Sequence, residues 1–183
     1  MEKGKIVYKD SDKGLTIRYP VSTDAKNMCA YINALSQEKT FIRFQGETIH
    51  LEEEKKYLRH QLELISKNKG IHLLALAQDQ LIGTGAITLA DRTERHTGLL
   101  GMSVAKEFRS KGIGSLLMHH LIEEAIRRLS DLEIITLSLF STNNIGRSLY
   151  EKFGFKEYGS LPNGIKLQNS YDNHIMMYKV IKR

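Results

Sequence analysis

The chain has 183 residues, a formal net charge of +6 and 41% hydrophobic residues, the composition of an ordinary globular domain with a sizeable core. Its single cysteine, Cys29, excludes an internal disulfide and a zinc site built on several cysteines. No apolar stretch approaches the roughly 20 residues of a membrane span, and the first residues lack the apolar core of a signal peptide. We therefore expect one domain over residues 1–183, located in the cytoplasm and without membrane contact.

The positive charge is moderate and is scattered along the chain. A nucleic-acid-binding protein usually concentrates its charge in a patch with stacking aromatic residues, and this chain has no tryptophan. We expect no nucleic-acid partner and no metal site. The excess of Lys and Arg fits a small anionic ligand at least as well.

The first half of the chain shows strand and helix patterns in alternation. In chain order the sequence predicts a strand over Gly14–Tyr19, a helix carrying Ala25, Met28, Cys29, Ile32 and Leu35 with its N-cap among Ser22–Asp24, a helix over Leu51–Ser66, and a hairpin of strands Ile71–Ala77 and Leu81–Leu89.

The second half continues with a strand, a glycine-led helix and a crossover. The predicted elements are a strand over His96–Val104, a helix from Gly112 to about Ser130, a strand over Ile134–Phe140, a short helix over Asn143–Lys152, a strand over Gly154–Tyr158, a polar loop containing Pro162 and Gly164, and a last strand over Asp172–Ile181. This order predicts a mixed α/β fold with a largely antiparallel, twisted sheet of about six or seven strands and helices on both faces.

The turn between the strand ending at Val104 and the next helix has the features of an anion site. Gly112 and Gly114 remove side chains at the start of a helix, where backbone N–H groups lack partners and the helix dipole is positive. Lys106, Arg109 and Lys111 add charge. This combination favours phosphate, although the two glycines are also compatible with a tight joint and nothing more.

Two familiar nucleotide motifs do not fit this turn. The chain contains no Gly-x-x-x-x-Gly-Lys-Ser/Thr sequence, which excludes a P-loop. The dinucleotide fingerprint would need glycine or alanine at position 117, which is leucine.

Two sequence blocks resemble the GNAT superfamily of acyl-CoA-dependent N-acyltransferases. Arg109-Ser-Lys-Gly112-Ile-Gly114 resembles the family's Arg/Gln-x-x-Gly-x-Gly/Ala signature. Asn143-Asn-Ile-Gly-Arg-Ser-Leu-Tyr150-Glu-Lys-Phe-Gly-Phe155 resembles its second block, Asn-x-x-Ala-x-x-Leu-Tyr-x-x-x-Gly-Phe, with Gly146 where alanine is usual. The blocks match in order and spacing over residues 109–155, and the whole chain follows the family's order of elements.

The resemblance implies a binding site for acetyl-CoA. By position, the backbone N–H groups around Arg109, Ser110, Lys111, Gly112, Ile113 and Gly114, together with the Ser115 hydroxyl, would hold the pyrophosphate. The backbone of Met102, Ser103 and Val104 would pair with the pantetheine arm, to which Asn143 would also hydrogen-bond. Asn143 is equally suited to begin the short helix.

The resemblance also assigns catalytic roles. Tyr150 matches the tyrosine that acts as general acid for the departing thiolate, and it therefore also counts among the residues that bind the cofactor. A phenol of pKa about 10 can donate a proton to a thiolate whose conjugate acid has a pKa of about 8.5. Its other interpretation is an aromatic residue filling the interface between helix and sheet. Glu94 and His96, which precede the strand that binds the cofactor, are the candidate bases. Histidine suits this role because its ordinary pKa is about 6.5. His96 is equally well explained as a structural residue of a surface turn.

The acceptor is a primary amine that the resemblance does not name. The segment Arg92–His96 and the stretch Ser170–Met176 resemble parts of a bacterial subgroup that acts on small amines, including free amino acids. Arg43 and Phe44 lie where the superfamily has an acceptor-site loop, and Arg43 could bind a carboxylate with both arms of its guanidinium. A protein N-terminus or lysine as acceptor and a non-catalytic acyl-CoA sensor are the alternatives, and a homodimer, common in the superfamily, stays open.

Overall fold

The computed structural model describes residues 4–181, which divide into two compact units. The first unit contains the chain up to Thr88 together with Gly101–Ser130, and the second contains Leu89–Leu100 and the chain from Asp131 onward. The expectation of one domain stays a prediction. No helix in residues 4–181 combines the length and the apolar character needed to cross a bilayer.

The strands of the first unit are antiparallel neighbours in chain order. They are β1 (Ile6–Asp10), β2 (Leu15–Arg18), β3 (Gly70–Ala77) and β4 (Gln80–Leu89). The next strand, β5 (Thr97–Val104), contributes its C-terminal half to this unit, and the following residue, Ala105, donates its N–H to the Ile82 carbonyl.

Helices cover both faces of this part of the sheet. On one face, Leu74 and Leu76 of β3 pack with Tyr31 and Leu35 of α1 (Ala25–Glu38) and with Leu58 of α2 (Leu51–Ser66). The other face carries α3 (Ile113–Arg128), which lies so close to β4 that a Cβ at Gly85 would collide with the Leu121 side chain.

The second unit contains the one parallel strand pair found among the described residues. The first half of β5 pairs in parallel with β6 (Ile134–Phe140), with Thr97 opposite Ile134. A helix, α4 (Asn144–Lys152), then leads to β7 (Lys156–Lys166), and β8 (Tyr171–Val180) lies between β6 and β7, antiparallel to both.

The predicted mixed α/β fold with a mostly antiparallel sheet is confirmed; residues 4–181 contain eight strands, against the expected number of about six or seven. The sequence pattern missed β1 (Ile6–Asp10), whose apolar run is only three residues long and whose five residues all lie partly or fully exposed. The polar loop predicted around Pro162 and Gly164 is wrong, because these residues belong to β7. This edge strand accommodates them through a register shift between Leu161 and Ile165.

Candidate active site

The predicted site residues fall in both units. The first unit contains Arg43, Phe44, Met102, Ser103, Val104 and the segment from Arg109 to Ser115, and the second contains Glu94, His96, Asn143 and Tyr150.

The glycine turn of the first unit begins α3 with a backbone that few residues adopt. After a single helical turn over Lys106–Phe108, Ser110 has φ +58° and Gly112 has φ +82°. Gly112 is the N-cap of α3, and a Cβ there would meet no atom within 4 Å. The positive φ, and not a lack of space, is therefore the reason for glycine at position 112. The missing side chain also leaves the backbone of the turn accessible to a ligand.

A continuous row of backbone N–H groups has no acceptor in this turn. Arg109 donates its N–H to the Lys106 carbonyl, and Leu116 donates to the Gly112 carbonyl. Between them, the N–H groups of residues 110–115 make no hydrogen bond within the part of the chain that the structure describes. They lie at the positive end of the α3 dipole, so the turn can bind a phosphate or pyrophosphate through its backbone.

Arg109 binds other groups of the protein with its guanidinium, so its charge is not available to a ligand. Its guanidinium lies 2.6 Å from the Glu38 carboxylate at the end of α1 and donates to the Val104 carbonyl at 2.8 Å. Arg109 thus fastens the turn to both α1 and β5. The flanking charges that stay exposed are Lys106 and Lys111, and the Lys111 ammonium lies 5.5 Å from the centre of the Phe108 ring.

The C-terminal end of β5 is also held from α1. The Tyr31 hydroxyl lies 3.0 Å from the Ser103 Oγ, and burial raises the pKa of Tyr31 to about 12. Tyr31 and Glu38 are seven residues apart on one face of α1. Neither residue was predicted from the sequence. Two polar groups seven positions apart on the otherwise apolar face of a helix are a pattern from which such a role could have been predicted.

The loop between α1 and α2, residues 39–50, is fixed to α1 by reciprocal hydrogen bonds. Asn33 donates to the Ile49 carbonyl at 2.9 Å and accepts from its N–H at 2.7 Å, and Ser36 bonds the backbone of Gly46 and Glu47. The loop carries Phe44, which is half-buried, and Arg43, which is exposed and has no ion pair among the described residues.

In the second unit, Asn143 begins α4. Its side-chain Oδ1 accepts the N–H of Gly146 at 2.9 Å, which satisfies one of the free donors of the first turn. The Nδ2 group of Asn143 makes no hydrogen bond with a described residue. The helix-capping role is therefore observed, and one donor is left for a ligand.

The two residues before Asn143 are organised by Asp172 of β8. Ser141 and Thr142 donate their hydroxyls to the Asp172 carboxylate, and Asn173 donates its N–H at 2.7 Å. Burial by itself would raise the pKa of Asp172, but these hydrogen bonds outweigh it and hold the pKa below its ordinary value. Asp172 was not predicted as a site residue, and its role is to fix the turn from β6 into α4.

Tyr150 is buried, with 9% of its surface exposed, and its ring packs edge-on against Phe155 at a centroid distance of 5.9 Å. Its hydroxyl makes no hydrogen bond with any described residue. Burial raises the pKa of Tyr150 to about 12. The phenol therefore stays protonated at physiological pH and can donate a hydrogen bond.

The two candidate bases lie in the turn before β5. Glu94 is exposed and ends a single helical turn, whereas His96 is half-buried. The His96 carbonyl accepts the N–H groups of Glu133 and Ile134, at 2.8 and 3.1 Å. The backbone of His96 thus fixes the start of β6, and its imidazole makes no hydrogen bond within residues 4–181.

Comparison with known proteins places this architecture in a family. The family model described as "Acetyltransferase (GNAT) family" matches residues 32–155, more than half of the chain. An acetyltransferase of the GNAT family from Streptococcus pneumoniae is 30% identical, with a TM-score of 0.83, and the match covers 92% of this chain and 99% of that one.

Two further relatives show the range of the similarity. The uncharacterized N-acetyltransferase YsnE of Bacillus subtilis is 28% identical over 126 residues, 58% of this chain and 82% of YsnE. A ribosomal L7/L12 alpha-N-protein acetyltransferase, solved in complex with coenzyme A, has a TM-score of 0.80 over 97% of this chain and 98% of its own. At 15% identity, that second likeness is one of fold alone.

The chain therefore belongs to the GNAT family of acetyltransferases. It is an acyl-CoA-dependent N-acetyltransferase with acetyl-CoA as its cofactor.

Proposed function

We propose that this enzyme transfers the acetyl group of acetyl-CoA to the primary amine of a small molecule, by direct attack within a ternary complex. The observation that carries the proposal is the row of unpaired N–H groups over residues 110–115, at the positive end of α3. This row matches the need of a pyrophosphate for several backbone donors, and the two exposed lysines beside it add attraction for an anion.

The other residues of the donor site are assigned by the family resemblance. The backbone of Met102–Val104 would pair with the pantetheine arm, the Ser115 hydroxyl would add a donor to the phosphates, and the Nδ2 group of Asn143 would donate to a pantetheine carbonyl. Acetyl-CoA would supply the thioester, and these residues would orient it through hydrogen bonds.

The transfer itself needs one acid and one base. The amine nitrogen attacks the thioester carbon, the carbon–sulfur bond breaks, and the leaving sulfur accepts a hydrogen bond and then a proton from the Tyr150 hydroxyl. The proton released by the attacking nitrogen passes to a base, for which His96 is the first candidate and Glu94 the second. Since Tyr150 is a weaker acid than an ordinary phenol, its main contribution is the hydrogen bond to the developing thiolate.

A covalent enzyme intermediate is not part of this mechanism. Cys29, the one cysteine, is directed at the backbone of the loop after α1, with its Sγ 3.4 Å from the Ile49 carbonyl oxygen. A thiol in this position serves packing of the loop. Initial rates measured at several concentrations of both substrates are expected to give intersecting double-reciprocal lines, and Cys29→Ser is expected to retain activity.

The acceptor proposed is a small amine with a carboxylate, such as a free amino acid. Arg43 supports it, because its exposed guanidinium has no ion pair within residues 4–181 and can bind a carboxylate with two parallel hydrogen bonds. We also propose that the protein is located in the cytoplasm. The assembly that we propose is a homodimer, and light scattering measures it.

The deciding experiment is thiol release from acetyl-CoA with a panel of amino acids, polyamines and peptides with free N-termini. We expect the highest kcat/KM with amino acids, a large loss in Arg43→Ala, and incomplete rescue in Arg43→Lys, which keeps the charge but not the planar fork. A higher kcat/KM with peptides than with amino acids would contradict a small-molecule acceptor and indicate that the enzyme acetylates a protein N-terminus. Acetyl-CoA binding without thiol release from any amine would make the protein a sensor.

A further inference from the structure

Three side chains on two successive turns of α3 carry donor atoms that are typical metal ligands. His119, His120 and Glu123 each offer an atom, and these atoms all lie within 4.8 Å of one another. The Glu123 Oε2 is 3.2 Å from the His119 Nε2 and 3.3 Å from the His120 Nδ1. The carboxylate oxygen therefore lies next to both imidazoles, on the flank of the helix and away from its first turn.

The spacing explains why the three side chains can converge. Residues three and four apart on a helix are neighbours on its surface, and Glu123 is four residues after His119 and three after His120. Two imidazole nitrogens and one carboxylate oxygen form a donor set suited to Zn²⁺, which takes such ligands at about 2.0–2.2 Å and completes its coordination with water.

One of the three ligands is already fixed. Only 14% of the His120 side chain is exposed, and its ring packs against the Tyr8 ring at a tilt of 35° and a centroid distance of 5.2 Å. The His120 nitrogen that faces Glu123 is Nδ1, and the Nε2 on the other side of the ring is buried with no hydrogen-bond partner among the described residues. His119 and Glu123 have more than half of their side chains exposed and can adjust to an ion.

From this arrangement we propose that His119, His120 and Glu123 form a binding site for a divalent transition-metal ion, with Zn²⁺ as the best match. Borderline and soft metal ions prefer imidazole nitrogen, whereas Mg²⁺ and Ca²⁺ prefer sites built of oxygen. The bound ion joins two successive turns of α3 and so stabilises that helix.

Calorimetric titration of the full chain with ZnCl₂ in a non-coordinating buffer tests the site. We expect one Zn²⁺ per chain, a rise in Tm on addition of Zn²⁺, and no heat from MgCl₂. His119→Ala and Glu123→Ala should each weaken Zn²⁺ binding by roughly tenfold or more. His60→Ala is the matched control, because His60 is an exposed histidine on α2 that lies three residues from Glu63 but belongs to no group of three metal-ligand side chains in the described part of the chain.

The proposal is overturned by Zn²⁺ affinity that stays unchanged in His119→Ala and Glu123→Ala, by equal losses in His60→Ala, or by the absence of saturable binding to the wild type. Circular dichroism of each variant establishes that it folds. His119 and Glu123 are exposed, so neither substitution removes a core contact.

Discussion

Asn143 and Gly146 are matched to each other at the start of α4. The Asn143 Oδ1 accepts the Gly146 N–H at 2.9 Å, and a Cβ on residue 146 would lie 2.6 Å from the Asn143 Nδ2. The glycine that departs from the usual alanine of the family block is therefore explained by packing, because it makes room for the capping side chain.

This relationship predicts a coupling between the two positions. Asn143→Ala should lower the free energy of unfolding by about 1 kcal/mol through loss of the cap. Gly146→Ala should be close to neutral in the wild type, since the gain in helix propensity is offset by displacement of the Asn143 amide, but it should stabilise the Asn143→Ala protein by roughly 0.5 kcal/mol or more. Denaturant unfolding of the four proteins measures the coupling, and additive effects would contradict it.

A second prediction concerns the ion pair between Glu38 and Arg109, which fastens the anion-binding turn to α1. Glu38→Gln should release Arg109 and loosen the turn, raising the KM for acetyl-CoA while kcat changes little. Glu52→Gln is the control, because the ion pair between Glu52 and Lys55 is similarly short, 2.7 Å against 2.6 Å, but lies exposed on α2. Equal KM values in the two variants would show that the ion pair does not position the turn.

The sequence predicted the turn and its glycines well, because local rules for helix starts and positive φ determine them. It could not show that Arg109 points to Glu38, since this contact joins residues 71 positions apart. For the same reason Tyr31 and Asp172 were missed, as each acts through a partner on a distant strand or loop. β1 was missed because its apolar run of three residues is too short to predict a strand and none of its residues is fully buried.

Tyr150 gives a prediction about catalysis. Tyr150→Phe should lower kcat by roughly a hundredfold and leave the Kd for acetyl-CoA unchanged, because the ring and its contact with Phe155 are kept. The wild-type kcat should show no decline at alkaline pH up to about 10, since the pKa of Tyr150 is raised to about 12. Tyr158→Phe, on an exposed tyrosine of β7, is the control; a similar loss there, or full activity in Tyr150→Phe, would remove Tyr150 from the mechanism.

His72 of β3 gives a prediction about stability and pH. It is 1% exposed, its Nε2 lies 2.8 Å from the Thr84 Oγ1, and burial lowers its pKa to about 4. Between pH 6.5 and 4 the unfolded chain binds a proton that the folded protein does not. The free energy of unfolding is thus unaffected by this group above about pH 6.5, and falls by about 3 kcal/mol as the pH drops to 4.

Denaturant unfolding of the wild type and of His72→Gln across this pH range measures the contribution. The variant should be less stable at pH 7 and show a flatter decline toward pH 4. His60→Gln, on the exposed face of α2, should keep the wild-type slope. A decline of the same steepness in His72→Gln would assign the pH dependence to other groups.

The central claim, that the backbone of the turn before α3 holds acetyl-CoA, is tested most directly by calorimetric titration of acetyl-CoA into Gly112→Ala and Gly154→Ala. Both glycines have φ +82°, so both substitutions strain the backbone, but only Gly112 lies in the proposed site. We predict that Gly154→Ala binds like the wild type and that Gly112→Ala binds at least about tenfold more weakly, a loss of about 1.4 kcal/mol. Wild-type affinity in Gly112→Ala, or no binding to the wild type, would contradict the account.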